Sequence, residues 1–585
     1  MHISKSFTRC VLPLFIFITM QTSAQQTRFE KSNKQATATY PEVISYYKDL
    51  AVHYPQAKLI TYGPTDHGEP LQLLVLSKNK VFDRQKLADQ NKSIFLINNG
   101  IHPGEPEGID ASMMLARDLL KNNRLPEDVV ICIIPLYNID GSFNRGNTSR
   151  ANQNGPLAYG FRGNSKNLDL NRDFIKTDSK NSESFQQIFN LWQPDIFVDT
   201  HTSNGADYQY TMTLIPTQKD KLNPLLAGYL TKTMLPSLYQ KMEAKGYELI
   251  SYINSVEETP DAGITGFLEP PRFSTGYAAL HNTIAFMPET HMLKAYDKRV
   301  DATYKLLETY IDVIERDVKQ IRDNKRQADV AVAKQIVFPL DWKLDDRSVD
   351  SIPFKGYTAK QKPSGVSGYD RLYYDRSQPY TKHIKEWNTF VPVISVNKPI
   401  AYIIPQAWSR VIDLLKLNGV SVKQLSSDTK LQLEMYYIKD YKTVPQPFEG
   451  HYLHSAVHVN PVRQDVHYYA GDYIVYVNQP SNRYIVETLE PQATDSFFNW
   501  NFFDSILGQK EHYSDYVFED TAAQLIKDHQ ELKAGLDAEK AKDPAFAKNG
   551  TAQLEYVYKH SDYYEKTHMR YPIGRLLDEH KINLK

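Results

Sequence analysis

Ser93-Ile94-Phe95-Leu96-Ile97-Asn98-Asn99-Gly100-Ile101-His102-Pro103-Gly104-Glu105 is the stretch on which the reading of this chain turns. An apolar run of strand length stops at Asn98-Asn99-Gly100 and delivers His-x-x-Glu into a tight turn. His102 and Glu105 are three residues apart, about one helical turn, so both side chains can face one point. A lone histidine follows about a hundred residues on, in Val198-Asp199-Thr200-His201-Thr202. Two ligands from a strand-to-helix turn and a third from another strand make a set suited to a catalytic zinc. Three protein ligands leave a fourth position open. Glu289, in Phe286-Met287-Pro288-Glu289-Thr290, is a further acid that could take a proton. Read alone, each piece has an ordinary explanation, and His201 by itself reads more readily as a satisfied core histidine.

Working outward, short apolar runs alternate with helical patterns from about residue 30 to 325. Strands are expected at 71–76, 93–98, 129–135, 195–200, 210–216 and 283–288, and helices at 107–121, 183–192, 225–245 and 304–322. That alternation predicts an α/β fold with a mixed sheet covered by helices on both faces. His102, His201 and Glu289 all follow the carboxyl ends of expected strands, the edge at which open α/β sheets bind ligands. The Gly-, Asn- and Ser-rich stretch 144–167 reads as a long loop, and such loops inside compact domains are usually functional.

The charged stretch 316–334 is read as the end of this first region. Beyond it, 337–397 is rich in Tyr and Pro with no clear helix. A strand at 400–405, a helix at 408–417, a strand at 420–422, hairpins over 450–490 and a polar helix at 520–545 follow. The expected organisation is a segment 1–24, an α/β region 30–325 and an α+β accessory region 326–585.

At 585 residues the chain exceeds one ordinary core, and its 41% hydrophobic content suits globular burial. Lys plus Arg total 68 against 69 acidic residues, so no net field favours nucleic acid or an anionic membrane. The 39 tyrosines fit an exported peptide- or carbohydrate-facing protein and equally a β-rich one. Lys5 and Arg9, the apolar run 11–20 and Ala24 form a secretory signal pattern, too short to span a bilayer. Secretion or a periplasmic location is expected, with cleavage after Ala24. Cys132 then remains alone, so no internal disulfide is available.

The order of motifs resembles the zinc carboxypeptidase A-like metallopeptidase family over roughly residues 40–325. The motifs are His102-x-x-Glu105, Asn138-x-Asp140-Gly141, Asp169-x-Asn171-Arg172, the strand-end His201 and the late strand-end Glu289. The resemblance implies a single zinc ion held by His102, Glu105 and His201, with Glu289 as general base. It implies that Asn171 and Arg172 hold a substrate's terminal carboxylate, a bidentate task suited to a guanidinium. Arg150 is the implied oxyanion-stabilising cation, although Arg145 and Arg162 share its loop. Asp169 is the implied carboxylate that fixes a ligand imidazole.

Two departures stand out. The family often has an arginine between the first two ligands, where this chain has Pro103-Gly104. Its substrate-capping tyrosine should precede the catalytic glutamate by about two dozen residues; Phe267 lies there, and Tyr277 is the nearest tyrosine on the Glu289 side. Tyr277 is therefore the expected capping residue, with a packed aromatic as the alternative. The activity implied is a secreted zinc carboxypeptidase acting on peptides with a free carboxyl end. Its rivals are a zinc amidase or deacylase acting on N-acyl amino acids or cell-wall peptides, and a non-catalytic peptide- or glycan-binding protein.

Overall fold

The computed structural model describes residues 25–580 and 582–585, so the expected export segment 1–24 lies outside them. Nine strands come first in the chain: β1 (Ala57–Pro64), β2 (Pro70–Leu76), β3 (Ser93–Asn98), β4 (Val129–Ile134), β5 (Ile196–Asp199), β6 (His201–Ser203), β7 (Met212–Pro216), β8 (Ile264–Thr265) and β9 (Ile284–His291). Eight of them, all but β8, form one mixed sheet in the order β1-β2-β4-β3-β5-β9-β6, with β7 on β9. Its centre is parallel, while the marginal pairings β1–β2, β2–β4 and β7–β9 are antiparallel. Every residue of β3, β4 and β5 is buried, as a sheet covered on both sides requires.

The cover is visible in the aromatic contacts. Phe95 of β3 is level with Ile196 of β5, so Phe197 points to the opposite face. Phe95 meets Tyr310 of helix Tyr296–Lys334, whereas Phe197 meets Phe185 of helix Lys180–Trp192. One helix therefore lies on each side.

The charged stretch 316–334 does not interrupt structure. It continues helix Tyr296–Lys334, because Ile321, Ala328 and Val332 extend a buried stripe along an otherwise charged surface. The amino-terminal helix Tyr40–His53 and the edge strand β1 were not expected from the sequence. β1 carries a broken apolar pattern and is exposed along part of its length, whereas the helix has a regular stripe at Tyr40, Val43, Ile44, Tyr47 and Leu50.

The Tyr- and Pro-rich stretch is β-structure: β10 (Val337–Leu344), β11 (Asp350–Pro363), β12 (Asp370–Trp387) and β13 (Phe390–Asn397). A six-stranded sheet follows, made of β14 (Ala401–Ile404), β15 (Lys423–Gln424), β16 (Thr429–Thr443), β17 (His454–Tyr468), β18 (Tyr473–Tyr476) and β19 (Gly574–Leu576). The strand expected at 420–422 sits slightly later, as β15. The polar helix is two, Asp515–Asp528 and Gln530–Lys542, broken at His529. One apolar cluster runs from Phe29 through Trp192 and Tyr484 to Ile573, so early and late parts of the chain share a core. Among the described residues no helix is long and apolar enough to cross a membrane.

Candidate metal centre and substrate cleft

His102 leaves β3 four residues after its end, and the Glu105 amide donates to the His102 carbonyl at 2.8 Å, closing the turn. Two glycines permit the close packing that fixes this turn. A Cβ on Gly104 would stand 2.8 Å from Arg150 Cδ, and one on Gly108 would stand 2.0 Å from Thr200 Oγ1. The start of helix Glu107–Lys121 is thereby seated directly on the end of β5.

β5 and β6 lie end to end along the same side of β9, with the break at Thr200. His201 opens β6 level with Glu289 of β9. Three strand ends thus bring His102, Glu105, His201 and Glu289 to one place. One donor atom from each of His102, Glu105 and His201 lies within 4.8 Å of the others. Both histidines turn Nδ1 inward, His102 to 3.2 Å from Glu105 Oε1 and His201 to 3.2 Å from Glu105 Oε2.

Both also turn Nε2 outward to a carboxylate. Asp169 Oδ1 is 2.9 Å from His102 Nε2, and Asp199 Oδ2 is 3.0 Å from His201 Nε2. Asp199 was not foreseen, although its position two residues before His201 on an extended chain places both on one side. His102 Nδ1 is buried and takes no hydrogen bond from the protein. A buried ring nitrogen that approaches the Glu105 carboxylate to 3.2 Å without hydrogen-bond geometry, beside a second imidazole, fits zinc by donor type and by the orientation of both rings.

The electrostatics point the same way. Burial opposes charge on His201, yet Asp199 and Glu105 outweigh it and hold the imidazole well above its usual range. Burial likewise opposes charge on Glu105, but Arg150 and His102 hold it well below the usual carboxylate range. A field that favours a proton on an inward ring nitrogen favours a metal cation there too. For Glu289, burial comes first and Glu105 adds to it, raising its carboxyl above the usual range against the pull of His201.

A buried network anchors this centre. Arg299 Nε donates to Glu107 Oε1 at 2.6 Å, Thr202 Oγ1 donates to Glu107 Oε2 at 2.7 Å, and the Thr202 amide donates to Glu105 Oε2 at 2.9 Å. Helix Tyr296–Lys334 is thus coupled to a ligand carboxylate through two side chains.

The cleft beside these residues has a volume of about 340 Å³, and Asn171, Arg172, Arg150 and Arg162 line it with Glu289. Asn171 accepts the Ser274 amide at 3.3 Å, and the Arg172 guanidinium lies 4.2 Å above the Phe273 ring. Arg150 is tied down, donating to Glu105 at 2.7 Å, the Thr202 carbonyl at 2.8 Å and Gln153 at 2.6 Å. Arg162 is tied to Asp169 at 2.9 Å and stands 3.5 Å from Glu105, with its side chain 44% exposed.

Tyr277 is not a cleft residue, which corrects the sequence expectation. It is fully buried, packed on Phe174 and Phe189, and its hydroxyl donates to Asn418 at 2.7 Å. It belongs to helix Ser274–Leu280, every residue of which is buried. Tyr252 and Phe267 line the cleft instead, with Glu269, whose buried carboxyl is pushed up to about 7 by desolvation. His291 is also structural: its Nε2 lies 3.0 Å from the Ala206 carbonyl. A larger open groove of about 750 Å³, lined by Tyr437, Gln464 and residues between 525 and 569, contains none of these groups.

Fold and site together present a candidate metal centre, His102, Glu105 and His201, at one edge of a mixed α/β sheet. Residues 43–214 match the model of the family described as zinc carboxypeptidase, which bears out the resemblance read from the motifs and with it the enzyme class, zinc metallocarboxypeptidase. Carboxypeptidase 2 of Trichophyton equinum is 22% identical over 462 residues, covering 73% of this chain and 76% of that protein. Carboxypeptidase 2 of Trichophyton rubrum is 22% identical over 435 residues, covering 68% and 72%. Among solved structures, a metallo-carboxypeptidase from Burkholderia cenocepacia aligns at 13% identity and a TM-score of 0.36, covering 48% of this chain and 70% of that one.

Proposed function

We propose that the protein is an exported zinc carboxypeptidase that hydrolyses the last bond of peptides bearing a free carboxyl terminus. The observation that carries this reading is the convergence of His102, Glu105 and His201, with both imidazoles turning Nδ1 toward Glu105, in a cleft that also holds Arg172 and Glu289. His102, Glu105 and His201 would hold one zinc ion, which would supply Lewis acidity toward the scissile carbonyl and toward a water molecule. Asp169 and Asp199 keep the two imidazoles oriented through their outer nitrogens.

Glu289 takes a proton from the attacking water and delivers it to the departing amine nitrogen. Arg172, aided by the Asn171 amide, grips the terminal carboxylate and so sets which bond is cut. Of the two remaining cations, Arg150 has all three guanidinium nitrogens engaged, whereas Arg162 Nη2 has no protein partner among the described residues. The oxyanion task first expected of Arg150 therefore falls to Arg162, with Arg150 bracing Glu105. Stabilising charge that appears only in the transition state is what raises rate.

The catalytic unit in this reading, expected over 30–325, extends to the end of helix Tyr296–Lys334, and the rest of the chain is an accessory region. The amino-terminal signal pattern supports export to the periplasm or beyond. Mass spectrometry of paired peptides with free and amidated carboxyl ends tests the function. Stepwise loss of carboxyl-terminal residues from the free peptides alone is expected. Equal trimming of both forms, or cleavage of N-acyl amino acids in preference to either, would overturn it.

A further inference from the structure

The turn joining β16 to β17 reaches from the late part of the chain to the cleft. Phe448 and His451 exchange backbone hydrogen bonds of 2.8 and 3.0 Å, leaving Glu449 and Gly450 as its two central residues. Both have positive φ, 51° and 83°. Tight hairpin turns of this kind favour Asn, Asp or Gly there, and a glutamate is an unfavourable choice. Strain of this sort is retained where the side chain has work to do.

The Glu449 side chain has such work. Its Oε2 accepts the backbone amide of Asp169 at 2.8 Å, across 280 residues of sequence. Asp169 is the node of the cleft. Its Oδ1 meets His102 Nε2 at 2.9 Å and accepts the Asn171 amide at 2.9 Å, and its Oδ2 faces Arg162 at 2.9 Å and Arg172 at 3.8 Å. One peptide segment therefore serves a candidate metal ligand, the Arg162 guanidinium and the Asn171–Arg172 carboxylate grip.

Neighbouring contacts from the same part of the chain hold the other side of Arg172. Arg272 is paired with Asp495 at 2.6 Å and lies over the rings of Phe448 and Trp500, at 5.5 and 5.0 Å. The next residue, Phe273, is the ring beneath Arg172. His451 Nε2 is 2.7 Å from Asp178, which also accepts Lys176 at 2.8 Å, fixing the chain just beyond the grip.

We infer that Glu449 is a positioning residue for the substrate-carboxylate grip: it holds the Asp169 peptide so that Asn171 and Arg172 face the cleft. The late half of the chain thereby contributes to substrate binding without touching substrate. This inference rests on the carboxypeptidase reading for its kinetic part only. Its structural part stands by itself, since a charged acceptor on a backbone amide is among the stronger hydrogen bonds.

Two variants separate the contact from the turn. Glu449→Asp suits a positive φ better than glutamate but is one methylene too short to reach Asp169. Glu449→Gln keeps both the length and an accepting oxygen. In the full-length protein, amide exchange over 165–174 followed by mass spectrometry should speed up in Glu449→Asp and stay at the wild-type rate in Glu449→Gln. With free-carboxylate peptides, Glu449→Asp should raise KM by roughly 10-fold with a smaller change in kcat and an undiminished Tm, while Glu449→Gln stays within about 3-fold.

Unchanged exchange in Glu449→Asp would overturn the contact, whatever reaction the protein catalyses. Faster exchange with wild-type KM would overturn the positioning role. Should the wild-type protein show no preference for free over amidated termini, the carboxypeptidase reading fails on its own account, and the exchange result still decides the contact.

Discussion

Asp199 Oδ2 lies 3.0 Å from His201 Nε2, the ring atom turned away from Glu105, and the aspartate is wholly buried. This pair mirrors Asp169 with His102 on the opposite side of the ligand set. Carboxylates in such positions fix the tautomer and orientation of a ligand imidazole, and their loss typically costs metal affinity. Asp199→Asn should weaken zinc binding by roughly 10- to 100-fold, measured by competition with a chromogenic chelator. Wild-type affinity would remove Asp199 from the account.

Glu289 shares a strand register with His201 and lines the cleft, yet it is not among the three ligating groups. Glu289→Gln should therefore retain zinc while kcat falls by roughly 10² to 10⁴-fold. Metal content and turnover are measured on the same preparation. Lost zinc would make Glu289 a ligand, and undiminished turnover would exclude it as the base.

Arg172 is the cation stacked on Phe273 at the cleft wall. Arg172→Ala should lower kcat/KM for free-carboxylate peptides by roughly 10- to 100-fold, the value of a lost charged hydrogen bond, while leaving slow turnover of amidated peptides unchanged. Equal losses on both substrates would contradict a carboxylate grip.

Away from the cleft, Asp110 is fully buried, accepts the Tyr296 hydroxyl, and burial pushes its carboxyl up to about 7 from 3.8. The folded state thus keeps a proton that the unfolded chain releases. The stabilisation from this group is complete below the unfolded value and is lost as pH rises through the folded one. Between about pH 4 and about pH 7 the wild type should lose unfolding free energy relative to Asp110→Asn, measured by urea denaturation, with no further loss above that window. Parallel profiles would show that Asp110 is ionised in the fold.

How much of this was legible depended on distance along the chain. His102 and Glu105 share one turn, and His201 and Glu289 end apolar runs, so local pattern alone placed them on one sheet edge. Asp199 carried a signal that went unread, since an acid and a histidine two apart on an extended chain share a side. Tyr277 misled because spacing from Glu289 says nothing of burial, and its helix sends every residue into the core. Phe267 lies at the spacing from Glu289 that the capping residue should have, and does line the cleft; Tyr252 comes from a stretch with almost no regular structure, where periodicity offers no guide. Choosing between Arg150 and Arg162 required seeing that Arg150 has a partner on each guanidinium nitrogen. Glu449 had no local signal whatever; only the folded chain brings it to Asp169.

The account stands on three side chains holding one metal ion, and elemental analysis of purified protein measures that directly. About one zinc per chain is expected in the wild type, with loss in His102→Ala and in His201→Ala and retention in His291→Ala, whose imidazole instead contacts the Ala206 carbonyl. Chelation should abolish peptide cleavage, and added zinc should restore it. A folded wild-type protein that neither carries nor takes up zinc, or one whose zinc survives both ligand substitutions, would contradict it.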